Sequence, residues 1–339
     1  MHCVFIVQAS EAMGVGHLMR CLAVAQVLEY RQFQATFLLD EASASIAASR
    51  HDWHSNIIIH DYDKPTCDQV CEFIALKLPQ VDWLIVDGYQ FDYDYCHAWL
   101  NTGLKLALFD DGIHSSPFAA TVLINAASSQ QTASDNTPML SGSQYRTLRR
   151  EFVEAEYQSV NQRESLTLSF GGSDPANITL PLLKKLTTHN TIAPIQVVTG
   201  QAYPFLVELT DWLAATQSNV HHIHNAQDMA VVWSKSKLAV SAAGGSQFEL
   251  AVCATPSILV VVAENQISST QLAEKEGWCR VVNMVDPDNR ETDFEYLLDI
   301  IQSLWNDERT LVDMQQSIAG QYDAYGAERL LEALAAYEA

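Results

Sequence analysis

The stretch Gly14-Val15-Gly16-His17 holds the first group able to do chemistry. It stands between an apolar run over residues 3–9 and a segment whose apolar residues Leu18, Cys21, Leu22, Ala25 and Leu28 recur at helical spacing, so it reads as strand, glycine turn, helix. Gly14 and Gly16 let the backbone bend tightly and approach a ligand, and the first N–H groups of the helix point at an anion in the mouth of the turn. His17 lies in that first turn, where the positive end of the helix dipole favours a neutral imidazole able to accept a proton. It reads either as a general base acting on a water or hydroxyl beside a bound phosphate, or as a polar cap.

Two further turns share this grammar. Gly171-Gly172-Ser173-Asp174-Pro175 follows an apolar strand over 165–170, and Gly244-Gly245-Ser246 follows a strand over 238–242 and opens a helix containing Gln247 and Glu249. Three glycine turns at strand–helix junctions are hard to explain by packing alone, and each is ready for an anion. Glu249 reads as a contact to ribose hydroxyls or as a solvated helical acid. Asn265 and Gln266, closing a strand over 258–263, read as amide donors to a phosphate or sugar, or as a helix cap. Asp87, Tyr89, Asp110 and Asp111 also close strands. Asp87 and Asp110 read as contacts to a hydroxylated ligand or as caps, and Asp111 reads as a cap. His222 and His224 share one strand face, but no neighbouring Asp, Glu or Cys completes a metal site, so they, His221, His51 and His54 read as structural or surface residues. No Gly-x-x-x-x-Gly-Lys loop and no Gly-x-Ser-x-Gly turn occurs.

The elements that must position these residues alternate strand with helix along the whole chain. Apolar runs over 34–39, 57–59, 82–86 and 105–109 end in polar residues, as do those over 195–198 and 220–223 in the second half. The pattern predicts an α/β protein of parallel doubly wound sheets with ligands at the carboxyl ends of the strands. Residues 126–143, rich in Ser, Gln, Thr and Asn, read as a long loop. We expect a GT-B-like pair of Rossmann-like domains facing a central cleft: an N-terminal domain over 1–155, a linker over 156–164, a nucleotide-binding domain over 165–320 and a C-terminal helix over 321–339.

The 339 residues suffice for two such cores, and 48% of them are hydrophobic. A formal charge of -22 argues against a general grip on nucleic acid or an anionic membrane, so phosphate must be held locally, by backbone N–H groups. Seven cysteines scattered at 3, 21, 67, 71, 96, 253 and 279 read as buried thiols, with Cys67 and Cys71 on one helix face. No basic leader followed by a long apolar run opens the sequence, which predicts a cytoplasmic protein. Neither cofactor nor metal is expected, and the chain reads as a monomer.

Taken in order, Gly14-x-Gly16-His17-x-x-Arg20-Cys21-Leu22, Asp87-x-Tyr89, Asp110-Asp111, Gly142-x-x-Tyr145 with Leu148-Arg149, Phe170-Gly171-Gly172-Ser173-Asp174-Pro175, Gly245-Ser246 with Glu249, Asn265-Gln266 and Gly326-Ala327-x-Arg329 span nearly the whole sequence. This set resembles the PseG family, nucleotide-sugar hydrolases of pseudaminic acid biosynthesis that look like GT-B glycosyltransferases related to MurG. The resemblance implies metal-independent, inverting release of UDP from UDP-2,4-diacetamido-2,4,6-trideoxy-β-L-altropyranose by water attack at the anomeric carbon. It implies His17 as the base. It also implies Gly245, Ser246 and Glu249 as the UDP-binding turn and ribose contact, with Asn265 and Gln266 near the diphosphate and sugar. Nucleotide or phosphate contacts are further expected from Gly14, Gly16, Gly171, Gly172, Ser173 and Gln247, and sugar contacts from Arg20, Asp87 and Tyr89. The chain departs from the family's pattern at Ile6 and Gln8, where Arg and Asp are usual, at Gly88 for His, at Gln247 for Thr, and at Gly112 after the Asp pair. A GT-B glycosyltransferase and a non-catalytic nucleotide-sugar binder are the alternatives.

Overall fold

The computed structural model describes residues 1–9, 14–60, 69, 72, 73, 76–78, 80–112, 117–128, 130–189 and 192–337. Cys67 and Cys71, expected on one helix face, lie outside the described residues. The other five cysteines are buried.

The chain divides into two units. Unit 1 takes Met1–Ser10, His17–Arg150 and Ala324–Ala339, and unit 2 takes Glu11–Gly16 and Glu151–Asp323.

Unit 1 is built on a seven-stranded sheet of β1 (His2–Val7), β2 (Gln34–Leu39), β3 (Asn56–Ile59), β4 (Trp83–Asp87), β5 (Lys105–Phe109), β6 (Val122–Asn125) and β7 (Met139–Ser141). Their order is β3-β2-β1-β4-β5-β6-β7, and every pairing is parallel. β1, β2, β4 and β5 are apolar on both faces because helices cover both sides of a parallel sheet. Chain order runs outward from β1 to β3, then resumes at β4 on the other flank of β1. That reversal opens a crevice at the carboxyl ends of β1 and β4, the place where open α/β sheets bind ligands.

β6 went unread in the sequence, and β7 lies within the stretch expected to be loop. They are four and three residues long, with β7 at the sheet edge, too short to show a period.

Unit 2 repeats the plan with β8 (Ser165–Ser169), β9 (Ile195–Thr199), β10 (Val220–His224), β11 (Ser236–Ala242), β12 (Ser257–Val261) and β13 (Cys279–Asn283). The order is β10-β9-β8-β11-β12-β13, again all parallel, and its reversal lies between β8 and β11. Leu166, Leu168, Val240, Ile258 and Val260 pack with Leu297, Ile301 and Leu311 in its core.

Two segments sit differently from their sequence readings. The stretch 156–164 is held inside unit 2. The Val160 N–H donates to Gln315 Oε1 at 2.8 Å, and the buried Arg163 guanidinium donates to the carbonyls of Gln158, Ser236 and Cys253 and to Thr255 Oγ1. Burial without a carboxylate partner pulls Arg163 down to about 10. The helix Gly326–Ala336 belongs to unit 1, where Tyr325 bridges Thr147 and Arg329 Nη1 donates to the Gln144 carbonyl at 3.2 Å.

Candidate active site

In unit 1 the reversal of strand order assembles a charged cluster. α1 (Gly16–Tyr30) starts just beyond β1 with His17 in its first turn, and Asp87 is the last residue of β4, in register with Val7 of β1. His17 Nδ1 lies 2.6 Å from Asp87 Oδ1, with both side chains buried. Arg20, one turn further along α1, donates from Nη2 to the same oxygen at 2.6 Å and from Nε to Oδ2 at 2.5 Å. Its Nη1 reaches both oxygens of Asp111, at 2.9 and 3.0 Å, and the guanidinium stacks 4.7 Å from the centroid of Phe109.

Burial by itself would raise Asp87, but the charges of Arg20 and His17 and their hydrogen bonds outweigh it and hold the carboxyl at about 2. An ionised carboxylate only accepts, so His17 donates from Nδ1 and its Nε2 carries the lone pair. The ring is thereby fixed in the tautomer a base needs. Tyr89 meets the His17 ring edge-on, centroids 4.7 Å apart. Burial, with Asp111 beside it, raises the Tyr89 hydroxyl above its ordinary value.

Asp87 and Arg20, expected as sugar contacts, have their polar atoms on His17, on Asp111 and on each other, because a fully buried carboxylate requires a cation and donors around it. Asp110 Oδ1 accepts the Gly112 N–H at 3.1 Å, the capping alternative of its reading, while Asp111, read as a cap, joins the cluster. The doubled Asp at the strand end was the available signal for Asp111, and nothing marked Phe109 beyond its place at the end of an apolar run. Two departures from the family pattern are also coupled. Gln90 Nε2 donates to Gln8 Oε1 at 2.7 Å, and a Cβ at Gly88 would stand 2.6 Å from the Gln90 amide.

Unit 2 brings its glycine turns to its own reversal of strand order, one after β8 and one after β11, where Ser169 and Ser241 are in register. Gly14 and Gly16 also divide with this unit. Gly14 and Gly171 take φ of 81° and 84°, left-handed values that favour glycine. Gly200 presses on the second turn, since a Cβ there would lie 2.5 Å from the Gly172 backbone. Ser173 is buried, and its hydroxyl makes no hydrogen bond among the described residues. Asp174 caps the next helix through the N–H groups of Ile178 and Thr179.

Gly245 is exposed and enters the helix Ser246–Val252 without a side-chain cap. Gln247 is buried, and Glu249 accepts the Trp233 indole N–H at 3.1 Å. A Cβ at Gly244 would lie 3.9 Å from Gln266 Nε2, so this turn and Gln266 are neighbours, while Gln266 Oε1 accepts the Val262 N–H. Asn265 lies in the 3-10 turn Glu264–Gln266. His222 and His224 both hydrogen-bond the Thr199 hydroxyl, at 2.8 and 3.2 Å. Among the described residues no group of three His, Cys, Asp or Glu could hold a metal ion, and no helix is long and apolar enough to cross a membrane.

Comparison with solved structures matches the whole chain. MurG of Acinetobacter baumannii superposes with a TM-score of 0.63 at 16% identity, covering 99% of this chain and 100% of that one. The UDP co-structure of Staphylococcus aureus MnaA gives 0.63 at 14% over 100% and 97%. A glycosyltransferase of Rickettsia africae gives 0.60 at 11% over 98% and 97%. The fold is GT-B-like. Both units are the Rossmann-like halves of that fold, and both crevices described above are its strand-order reversals.

No known family profile matches the chain. Among curated proteins, the uncharacterized protein MJ1062 of Methanocaldococcus jannaschii is 24% identical over 277 residues, 77% of this chain and 55% of the relative. The chain thus spans about half the length of the curated relative it matches.

Proposed function

We propose that this chain is a UDP-sugar hydrolase of the PseG type, releasing UDP from UDP-2,4-diacetamido-2,4,6-trideoxy-β-L-altropyranose in pseudaminic acid biosynthesis. One observation carries the reading above the others: His17 is held through Nδ1 by a buried, ionised Asp87, which leaves Nε2 as a proton acceptor at the carboxyl edge of the unit 1 sheet. In this reading Nε2 takes a proton from water as the water oxygen bonds to the anomeric carbon. The bond from that carbon to the UDP oxygen breaks on the opposite face, UDP leaves as an anion, and the imidazolium is paired with Asp87. Backbone N–H groups of the glycine turns at Gly14, Gly16, Gly171, Gly172, Gly245 and Ser246 receive the diphosphate, with Ser173 and Gln247 supporting those turns. Glu249 takes the ribose, and Tyr89, Asn265 and Gln266 the sugar. The UDP bound to Staphylococcus aureus MnaA, which shares the fold, supports a uridine nucleotide as the ligand.

The decisive test incubates the purified protein with EDTA and no acceptor, on the altrose derivative and on UDP-GlcNAc, and follows UDP. Release from the altrose derivative is expected. His17→Ala lowers that turnover by about 10²–10⁴-fold while UDP affinity stays near wild type. A glycosyltransferase reading is favoured by the shared fold of the Rickettsia africae enzyme. It wins if UDP appears only when an acceptor alcohol is supplied. UDP binding with no turnover under either condition leaves a binding protein.

A further inference from the structure

The charges around His17 do not cancel. Asp87 and Asp111 bring two carboxylates and Arg20 one cation, so the cluster has one negative charge in excess while the imidazole is neutral. It reaches neutrality when the imidazole takes a proton. All three guanidinium nitrogens of Arg20 are on the two carboxylates and its face is on Phe109, a bridge and not a free hand for substrate.

We infer that Arg20 and Asp111 are positioning residues that tune the base: Arg20 keeps Asp87 ionised and orients it, and Asp111 supplies the excess negative charge that stabilises the imidazolium as His17 removes a proton. This rests on the reading of His17 as the base. The groups of unit 1 facing the cluster fit the assignment. Asp87 comes from the end of β4, Arg20 and Cys21 from α1, Tyr89 from the turn after β4, and Asp110 and Asp111 from beyond β5. The Cys21 thiol lies 3.7 Å from Asp87 Oδ2, and burial and that carboxylate raise it, so it stays protonated and adds no charge. Asp110 Oδ1 accepts the Gly112 N–H at 3.1 Å. Asp111 is the second carboxylate that the Arg20 guanidinium binds, with about a third of its side chain exposed.

The two partners act in opposite senses, which a merely structural role does not produce. Asp111→Asn removes the excess charge, so the acid limb of kcat/KM and the midpoint of the His17 imidazole titration, followed by NMR, both move to lower pH by roughly half a unit or more. Asp111→Glu restores both. Arg20→Gln removes the cation and moves the same midpoint to higher pH. The Asp111 variant leaves the buried Asp87 pair in place and so keeps the fold, whatever becomes of the Arg20 variant. A titration of His17 unmoved by Asp111→Asn, or moved in the same sense by both variants, overturns the inference. The NMR titration needs no turnover, so it tests the tuning of His17 even where the protein releases no UDP, and a failure of the hydrolase reading is then seen separately in the UDP assay.

Discussion

At Asp87 two opposed effects meet, and their difference is measurable. Burial works against its charge, but Arg20 and His17 hold the carboxyl at about 2, below its ordinary value of 3.8. A folded value below the unfolded one means the ionised carboxylate stabilises the fold above about pH 4, and that this contribution fades as the pH falls toward 2. The shift corresponds to about 2 kcal/mol. Urea unfolding of wild type and Asp87→Asn is therefore expected to show a stability gap that narrows by about that amount between pH 6 and pH 2.5. A gap constant across this window removes the assignment. His17 and Asp87 were each legible in the sequence, one by its place after Gly-x-Gly and the other by its place at a strand end. Their partnership was not. They are separated by 70 positions, and only the register of β1 on β4 makes them neighbours.

Elements were legible in proportion to the length of their apolar runs. The central strands are apolar on both faces and stand out as runs, whereas β6 and β7 are only four and three residues long and β13, with the polar Arg280 and Asn283 in its five residues, gives no apolar run. The helix Gly326–Ala336 was legible as a helix, but the partner it packs on was not. Its attachment depends on close approach: a Cβ at Gly326 would stand 1.8 Å from the Arg146 carbonyl oxygen. Backbone cannot yield as a flexible side chain can, so Gly326→Ala is expected to destabilise unit 1 by about 3 kcal/mol. Hydrogen exchange is then expected to rise over 143–147 and in the helix itself. A variant with wild-type melting and protection there refutes the close packing.

The whole molecule is two parallel-sheet units, each with its own core, and the residues proposed for the nucleotide all divide with unit 2. UDP at a hundredfold excess over its Kd adds about 2.7 kcal/mol to whatever binds it. Hydrogen exchange with UDP is expected to slow in peptides spanning 171–173 and 244–249 while the helix Tyr93–Leu100 of unit 1 is unaffected. Protection confined to unit 1 would move the nucleotide away from the proposed turns. The amino-acid sequence by itself determined the α/β class, the restart of the same plan after the first domain and the glycine turns, because these follow from local periodicity and backbone sterics. Tertiary structure alone decided that Asp87 serves His17, that Arg20 joins two carboxylates, that 156–164 is bound into unit 2 and that the last helix returns to unit 1. Each of these depends on which distant residues share a sheet register or a buried face, and on the rule that a buried charge must find partners wherever the fold brings them.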